Sequence, residues 1–242
     1  MKQAEGRRPK VKGPELENIL KKYAALLASV DQWFASCVAH AGSEMACKTG
    51  CSECCRGLFD ITLLDALHLK TGFDRLDAGV KARVLDNAKD SLLSLQALWP
   101  DFDAPYILNY RPEEEWEVLM PDDDETPCPL LGEDGKCLVY DFRPMTCRLH
   151  GIPLLDVSGE VMYDGWCTLN FTRGNPLEMA ELRWEFNRLF RDELVIFREL
   201  TFQLFEQRVN ELDTFIPTAL LIDFAHFPWR KWRDENPLLF PE

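Results

Sequence analysis

Four cysteines stand within nine residues, in CKTGCSECC from Cys47 to Cys55, and two of them are adjacent. Four more follow singly at Cys128, Cys137, Cys147 and Cys167, and a ninth, Cys37, precedes the cluster. Any fold of this chain has to find a use for that many thiols. Left neutral, eight of them make a strange core. Paired as disulfides, eight allow about 105 connectivities. The N-terminus shows no uninterrupted apolar run of the kind a secretory leader needs. Nor does the chain contain an apolar run of ~18 residues that could span a membrane. A cytoplasmic, reducing setting is therefore expected, and there cysteine density points to metal binding or catalysis. Thiolates suit soft or borderline metals. Zinc takes four ligands, and a [4Fe–4S] cluster also takes four. Two zinc ions, two clusters or one of each would use eight cysteines.

Cys37 is set apart by its position. After Pro14, apolar residues recur at Leu16, Leu20, Tyr23, Leu27, Val30, Phe34, Cys37 and Ala41 in alternating steps of four and three. That spacing predicts one buried helical stripe, ended by Gly42, on which Cys37 is a small core residue. Thr62 with Asp65 resembles a capping box and starts a short helix ending near Gly72. Residues 78–98 predict another helix, stopped by Pro100. Residues 101–127, with proline and the acidic run Asp122, Asp123, Asp124 and Glu125, read as a surface loop with one helical turn.

From 128 the texture becomes β-rich. Asp134-Gly135 and Ser158-Gly159 are hairpin signals that place Cys128, Cys137, Cys147 and Cys167 on a small insert. Helical periodicity returns over 177–212. A straight helix of that length would run roughly 54 Å at ~1.5 Å per residue, so a break is expected. One more helix is expected between Phe215 and Phe227. The aromatic tail PWRKWRDENPLLFPE reads as core packing, not as a ligand box. The fold class is thus mainly α, a helical domain with a small β-hairpin insert that helps enclose a Cys-rich metal site. Residues 1–13 read as a disordered basic tail and 14–242 as a single domain.

The adjacent pair Cys54–Cys55 suggests how the ligands are shared. Neighbouring side chains diverge from the backbone, so the pair is expected to face two metal centres or two corners of one assembly. The two cysteine sets would then interleave. Eight thiolates with two divalent ions carry −8 + 4 = −4, which needs compensation. Arg143 and Arg148 bracket Cys147 and are the natural cations beyond the ligands. With eight thiols available, His150 is expected to act beside the site and not as a ligand. His40, His68 and His226 have no ligand-like spacing. The net charge of −14 argues against nucleic acid or an anionic membrane as partner. Metal ions are the expected partners, and the sequence names no protein partner. The triplet Cys47-x₃-Cys51-x₂-Cys54 also matches radical-SAM spacing. However, it follows a long helix, with no alternating strand–helix series after it.

Taken together, CKTGCSECC, Cys128-Pro-Leu, CLVYDFRPMTCR at 137–148 and Cys167 resemble the YkgJ-like cysteine-cluster family, the zinc- or iron-chelating CxxCxxCC domains. The resemblance covers about 45–170. It implies a zinc or iron centre, iron–sulfur included, on Cys47, Cys51, Cys54, Cys55, Cys128, Cys137, Cys147 and Cys167. A similar cysteine cluster in flagellin lysine-N-methylases implies the alternative of an iron–sulfur methylase-like or redox enzyme. This chain shows no glycine-rich strand–turn–helix for S-adenosylmethionine.

Overall fold

The computed structural model describes residues 13–48, 50–121 and 124–240. The basic tail expected over 1–13, save Gly13, lies outside the described residues, as do Asp122 and Asp123. The chain is mainly α. Helix α1 spans Pro14–Ala41, with proline in its first turn, and ends at Gly42, whose φ of 54° suits glycine. Its buried face is Ile19, Tyr23, Leu27, Val30, Trp33, Cys37 and Ala41. Cys37 is wholly buried, as its place on the stripe requires, and burial pushes its thiol up to about 12. Strand β1, Asp60–Thr62, leads into α2, Leu63–Phe73, where the Thr62 side chain accepts from Asp65 N at 3.1 Å. Helix α3 spans Ala78–Leu98, and the described residues of the loop after it form single turns and α4, Glu113–Trp116.

Helix α5, Met145–Leu149, carries Cys147. Strands β2, Leu154–Leu155, and β3, Val161–Tyr163, pair antiparallel around Gly159. The expected long helix is broken. Two 3₁₀ turns at Pro176–Glu178 and Ala180–Leu182 precede α6, Phe186–Phe205, which stops at Glu206 in a left-handed conformation. Strand β4, Asp213–Phe215, pairs antiparallel with β1, Thr62 opposite Asp213 and Asp60 opposite Phe215. Helix α7, Ile216–Ala219, and helix α8, Trp229–Glu235, complete the chain.

Two sequence expectations are corrected. The insert is less β-rich than its turns suggest. The Asp134-Gly135 turn closes with one isolated bridge, Leu131 to Cys137, and Cys147 sits on a helix because Pro144 caps a short run of helix-compatible residues. The helix expected from Phe215 to Phe227 shrinks to α7, because Phe215 is held in β4 by β1 and the chain turns again at Asp223. In the tail, Trp229, Trp232 and Phe240 are buried against Phe205, with the Phe205 and Phe240 ring centroids 4.9 Å apart.

Helix α1 lies along α6 and against α5, while α7 fills the space between α2 and α3. Trp33 donates from Nε1 to Leu182 O at 3.0 Å and stacks on Trp184, fastening α1 to the segment that enters α6. No helix among the described residues is long and apolar enough to cross a membrane.

A polar knot crosses this packing. Tyr23 Oη donates to Asp65 Oδ1 at 2.6 Å and lies 3.2 Å from Glu193 Oε1. One hydroxyl proton cannot serve both oxygens, so the second contact calls for a protonated Glu193 donating to Tyr23 Oη. Burial, reinforced by the charge of Asp65, raises the Glu193 carboxyl to about 8. Its ordinary value is 4.5, so between the two values the folded state holds a proton that the unfolded state has released. Stability therefore falls as pH rises through that window. Glu193→Gln cannot ionise, so it should match the native chain near pH 4, below the ordinary value, and be more stable at about pH 8.5. Urea midpoints at the two pH values check this. Equal midpoints at the higher pH would rule out a neutral buried carboxyl.

Candidate metal centre

The two cysteine sets are brought together by backbone pairing. Cys128 N donates to Cys55 O at 2.9 Å and Gly57 N to Thr126 O at 2.8 Å, with an antiparallel bridge between Arg56 and Pro127. The first cluster thus runs beside the start of the second set. Gly57 turns the chain away with φ of 71°, a conformation that disfavours any residue with a side chain. Asn170, almost wholly buried, performs the equivalent task for the other end. Its Oδ1 accepts from Ala46 N at 2.9 Å, and its Nδ2 donates to Gly151 O at 2.8 Å and to Cys47 Sγ at 3.3 Å. Asn170 N also donates to Cys167 O at 2.9 Å. Gly151, at φ of 101°, holds a backbone conformation that disfavours a side chain, and a Cβ there would also sit tight against Asn170 Nδ2 at 3.2 Å.

Seven of the eight expected cysteines, Cys47, Cys51, Cys54, Cys55, Cys128, Cys137 and Cys147, line one cavity of about 460 Å³. The eighth, Cys167, lies beside Cys47. All eight are half-buried and none forms a disulfide. Their neighbourhoods overlap. Cys47 sits within electrostatic reach of Cys167, Cys51 and Cys54, and Cys54 within reach of Cys128, Cys137 and Cys147. Thiols of both sequence sets therefore mix, with Cys54 at the junction. Cys55 N donates to Ser52 O at 2.9 Å, and the Cys54 and Cys55 thiols lie within electrostatic reach of each other.

Five of these thiols are held above their ordinary range. The hydrogen bond with Cys55, then burial, pushes the Cys54 thiol up. Burial raises Cys128 to about 11 and Cys147 well above the usual thiol range. Burial also raises Cys47, against the hydrogen bond from Asn170, and Cys137, against the nearby charge of Arg143. Among the described residues no three Cys, His, Asp or Glu side chains are close enough together to hold an ion as they stand. The thiols surround the cavity without closing on a common point.

The two arginines take different roles. Arg143 lowers the cost of ionising Cys54 and Cys137, lies over the Tyr140 ring and donates to Asp31 Oδ1 at 2.9 Å. Arg148 is 4% exposed and is committed to structure. It pairs with Asp31 Oδ2 and donates to Arg143 O at 3.1 Å and Asp141 O at 2.9 Å. One α1 carboxylate thus clamps both arginines and with them the Cys147 segment. His150 lines the cavity, its ring edge-on to Phe59. His40 and His226 are exposed and paired locally, and His68 is buried away from the cavity. Asp31 and Asn170 were missed by sequence reasoning. Asp31 reads as an ordinary polar residue beside a helical stripe, and Asn170 follows Cys167 without a recognisable spacing.

A family model described as "CxxCxxCC: Putative zinc- or iron-chelating domain" matches residues 46–167. No curated protein and no solved structure matches the chain at a significant level.

The shared carboxylate makes a direct test possible. Asp31→Ala leaves the buried Arg148 without its charge partner and Arg143 free to move. A hydrogen bond to a charged group contributes about 1.5–3 kcal/mol, and the half-exposed position of Asp31 favours the lower end. Urea unfolding should show a loss of about 1–3 kcal/mol. An unchanged midpoint would mean that the clamp does not hold the Cys147 segment.

Proposed function

The chain belongs to the CxxCxxCC family of zinc- or iron-chelating domains, and from that premise we propose that it binds zinc or iron through Cys47, Cys51, Cys54, Cys55, Cys128, Cys137, Cys147 and Cys167. The observation that carries this reading is the convergence of seven of these thiols on one cavity, with Cys54 beside thiols of both sequence sets. The donor chemistry fits. Thiols select soft or borderline ions, while the hard oxygen ligands of calcium and magnesium are not prominent in the cavity lining.

A bound ion would supply positive charge that lets the thiols ionise and would tie the 47–55 loop to the 128–167 segment. Several of the chain's own residues prepare for that. Asn170 directs an N–H at Cys47 sulfur. Arg143 offsets charge at Cys54 and Cys137. Arg148 and Asp31 keep the Cys147 helix docked on α1. In this reading the insert helps to enclose the site, and the protein works in a reducing, cytoplasmic compartment that keeps its nine cysteines free. Iron bound as an iron–sulfur cluster is the finer form of the reading. It would connect the chain to redox or methylase-like chemistry.

Metal analysis on anaerobically purified protein decides among these. Broad visible absorption with iron and sulfide supports the iron–sulfur form. A colourless protein with stoichiometric zinc supports the zinc form, and protein without either metal overturns the reading. Cys54→Ala should lower the occupancy of the whole centre, because Cys54 stands between the two neighbourhoods. Cys37→Ala should leave metal content unchanged and cost about 1 kcal/mol in lost burial.

Removal of the metal gives a second check. Amide protection should fall across 47–55 and 128–167 and persist in α1 and α6, which pack on each other. Full protection across 128–167 in chelated protein would contradict the coupling.

A further inference from the structure

The cavity that gathers the thiols is not lined by thiols alone. Its volume of about 460 Å³ falls among small-molecule sites, roughly 300–1,000 Å³. Beyond the cysteines, four separate parts of the fold contribute apolar side chains to it. These are Phe34 from α1, Phe59 from the residue before β1, Leu69 from α2 and Ile216 from α7. Such groups add nothing to holding an ion. A structural thiolate centre is a closed tetrahedral site with its ligands drawn around the ion. Here the helical frame supplies an apolar wall to the same space.

One polar group in that wall is unspent. His150 lines the cavity, with its ring centroid 5.5 Å from that of Phe59. Its backbone N–H is used, donating to Thr146 O, but among the described residues nothing hydrogen-bonds to its ring. Burial alone holds the imidazole below its usual range, so at neutral pH it is uncharged and can accept a proton from one partner or donate to it. Neither ring nitrogen is buried without a partner, so both are open to water or to a guest in the cavity.

We propose that this cavity is also the binding site of a small organic molecule with a flat apolar body and one hydroxyl or N–H group. The body packs on Phe34, Phe59 and Ile216, and the polar group bonds to the His150 imidazole. This deepens the metal-binding reading and rests on it only for what lies beside the guest, a thiolate-held ion. Seated there, the guest perturbs the centre, or the centre acts on the guest. His150 is on this account a recognition residue and not a ligand of the ion.

Two probes test it on metal-loaded full-length protein. 2-Naphthol has the apolar body and one hydroxyl, while naphthalene lacks the hydroxyl. Saturable binding of one 2-naphthol per chain is expected, read by its fluorescence. Ile216→Phe reduces the room and should weaken both probes about tenfold or more, as overfilled apolar sites do. His150→Leu keeps the bulk and removes the nitrogen. It should weaken 2-naphthol about tenfold and leave naphthalene within about twofold, the signature of a lost hydrogen bond. Circular dichroism and metal per chain are measured on each variant, and both should match the native protein. The proposal is overturned if 2-naphthol fails to saturate on the native protein. It is also overturned if folded Ile216→Phe binds normally, or if His150→Leu affects both probes alike. His150→Leu alone decides the matter should Ile216→Phe not fold. The two readings fail separately. Metal-loaded protein that ignores 2-naphthol sinks the guest site alone. Protein purified anaerobically that contains neither zinc nor iron, yet shows this probe pattern, sinks the metal reading alone.

Discussion

The buried carboxylate of Asp65 connects the scaffold to the thiols. It takes a hydrogen bond from Tyr23 on α1 and another from Met145 N, the first residue of α5, and through Tyr23 it reaches Glu193 on α6. Its own backbone N–H is capped by Thr62, so its position on α2 is fixed as well. A buried carboxyl left without partners costs several kcal/mol, so these four helices are held to one mutual arrangement. Even with its bonds, burial raises Asp65 to about 6. Met145 lies two residues before Cys147, so the same carboxylate also sets where one of the thiols can be.

The rest of the candidate site is held by shorter devices. The segments that carry the cysteines contain little regular structure: a few backbone hydrogen bonds between 55–57 and 126–128, one short helix and one small hairpin. Such segments lack apolar stripes of their own. Asn170, the Asp31 clamp and the positive-φ glycines at 57 and 151 supply the missing constraints. These contacts fix where the backbone runs and leave the thiols arranged around a space. An ion can draw in such thiols by exchanging their protons for its own charge, with little change in the frame.

The frame does more than support those loops. Residues of α1, α2 and α7 pack the core and also face the thiol cavity, so the apolar helices and the cysteine loops meet at one surface. His150 lies on that boundary, beyond the end of the Cys147 helix. The helical body and the cysteine-bearing loops are therefore not separate, and the cavity belongs to both.

The sequence by itself determined the elements whose signal is local. The stripe and glycine stop of α1, the cap of α2, the span of α3 and the break before α6 follow from periodicity and turn chemistry. The same holds for the placement of Cys37 on a buried helical face. The expectation that eight thiols act together rests on their spacing and on the family resemblance. Only the tertiary structure decided what depends on distant partners. The pairing of β1 with β4 joins segments remote in sequence, and their short runs have no pattern strong enough to announce it. Asp31, Asp65 and Asn170 gain their roles from groups that folding brings to them. The docking of the Cys55 segment on Cys128 likewise joins two segments more than seventy residues apart. Periodicity reports which face of an element avoids water, whereas a polar side chain's role is set by the partner that replaces its water, and that partner exists only in the folded chain.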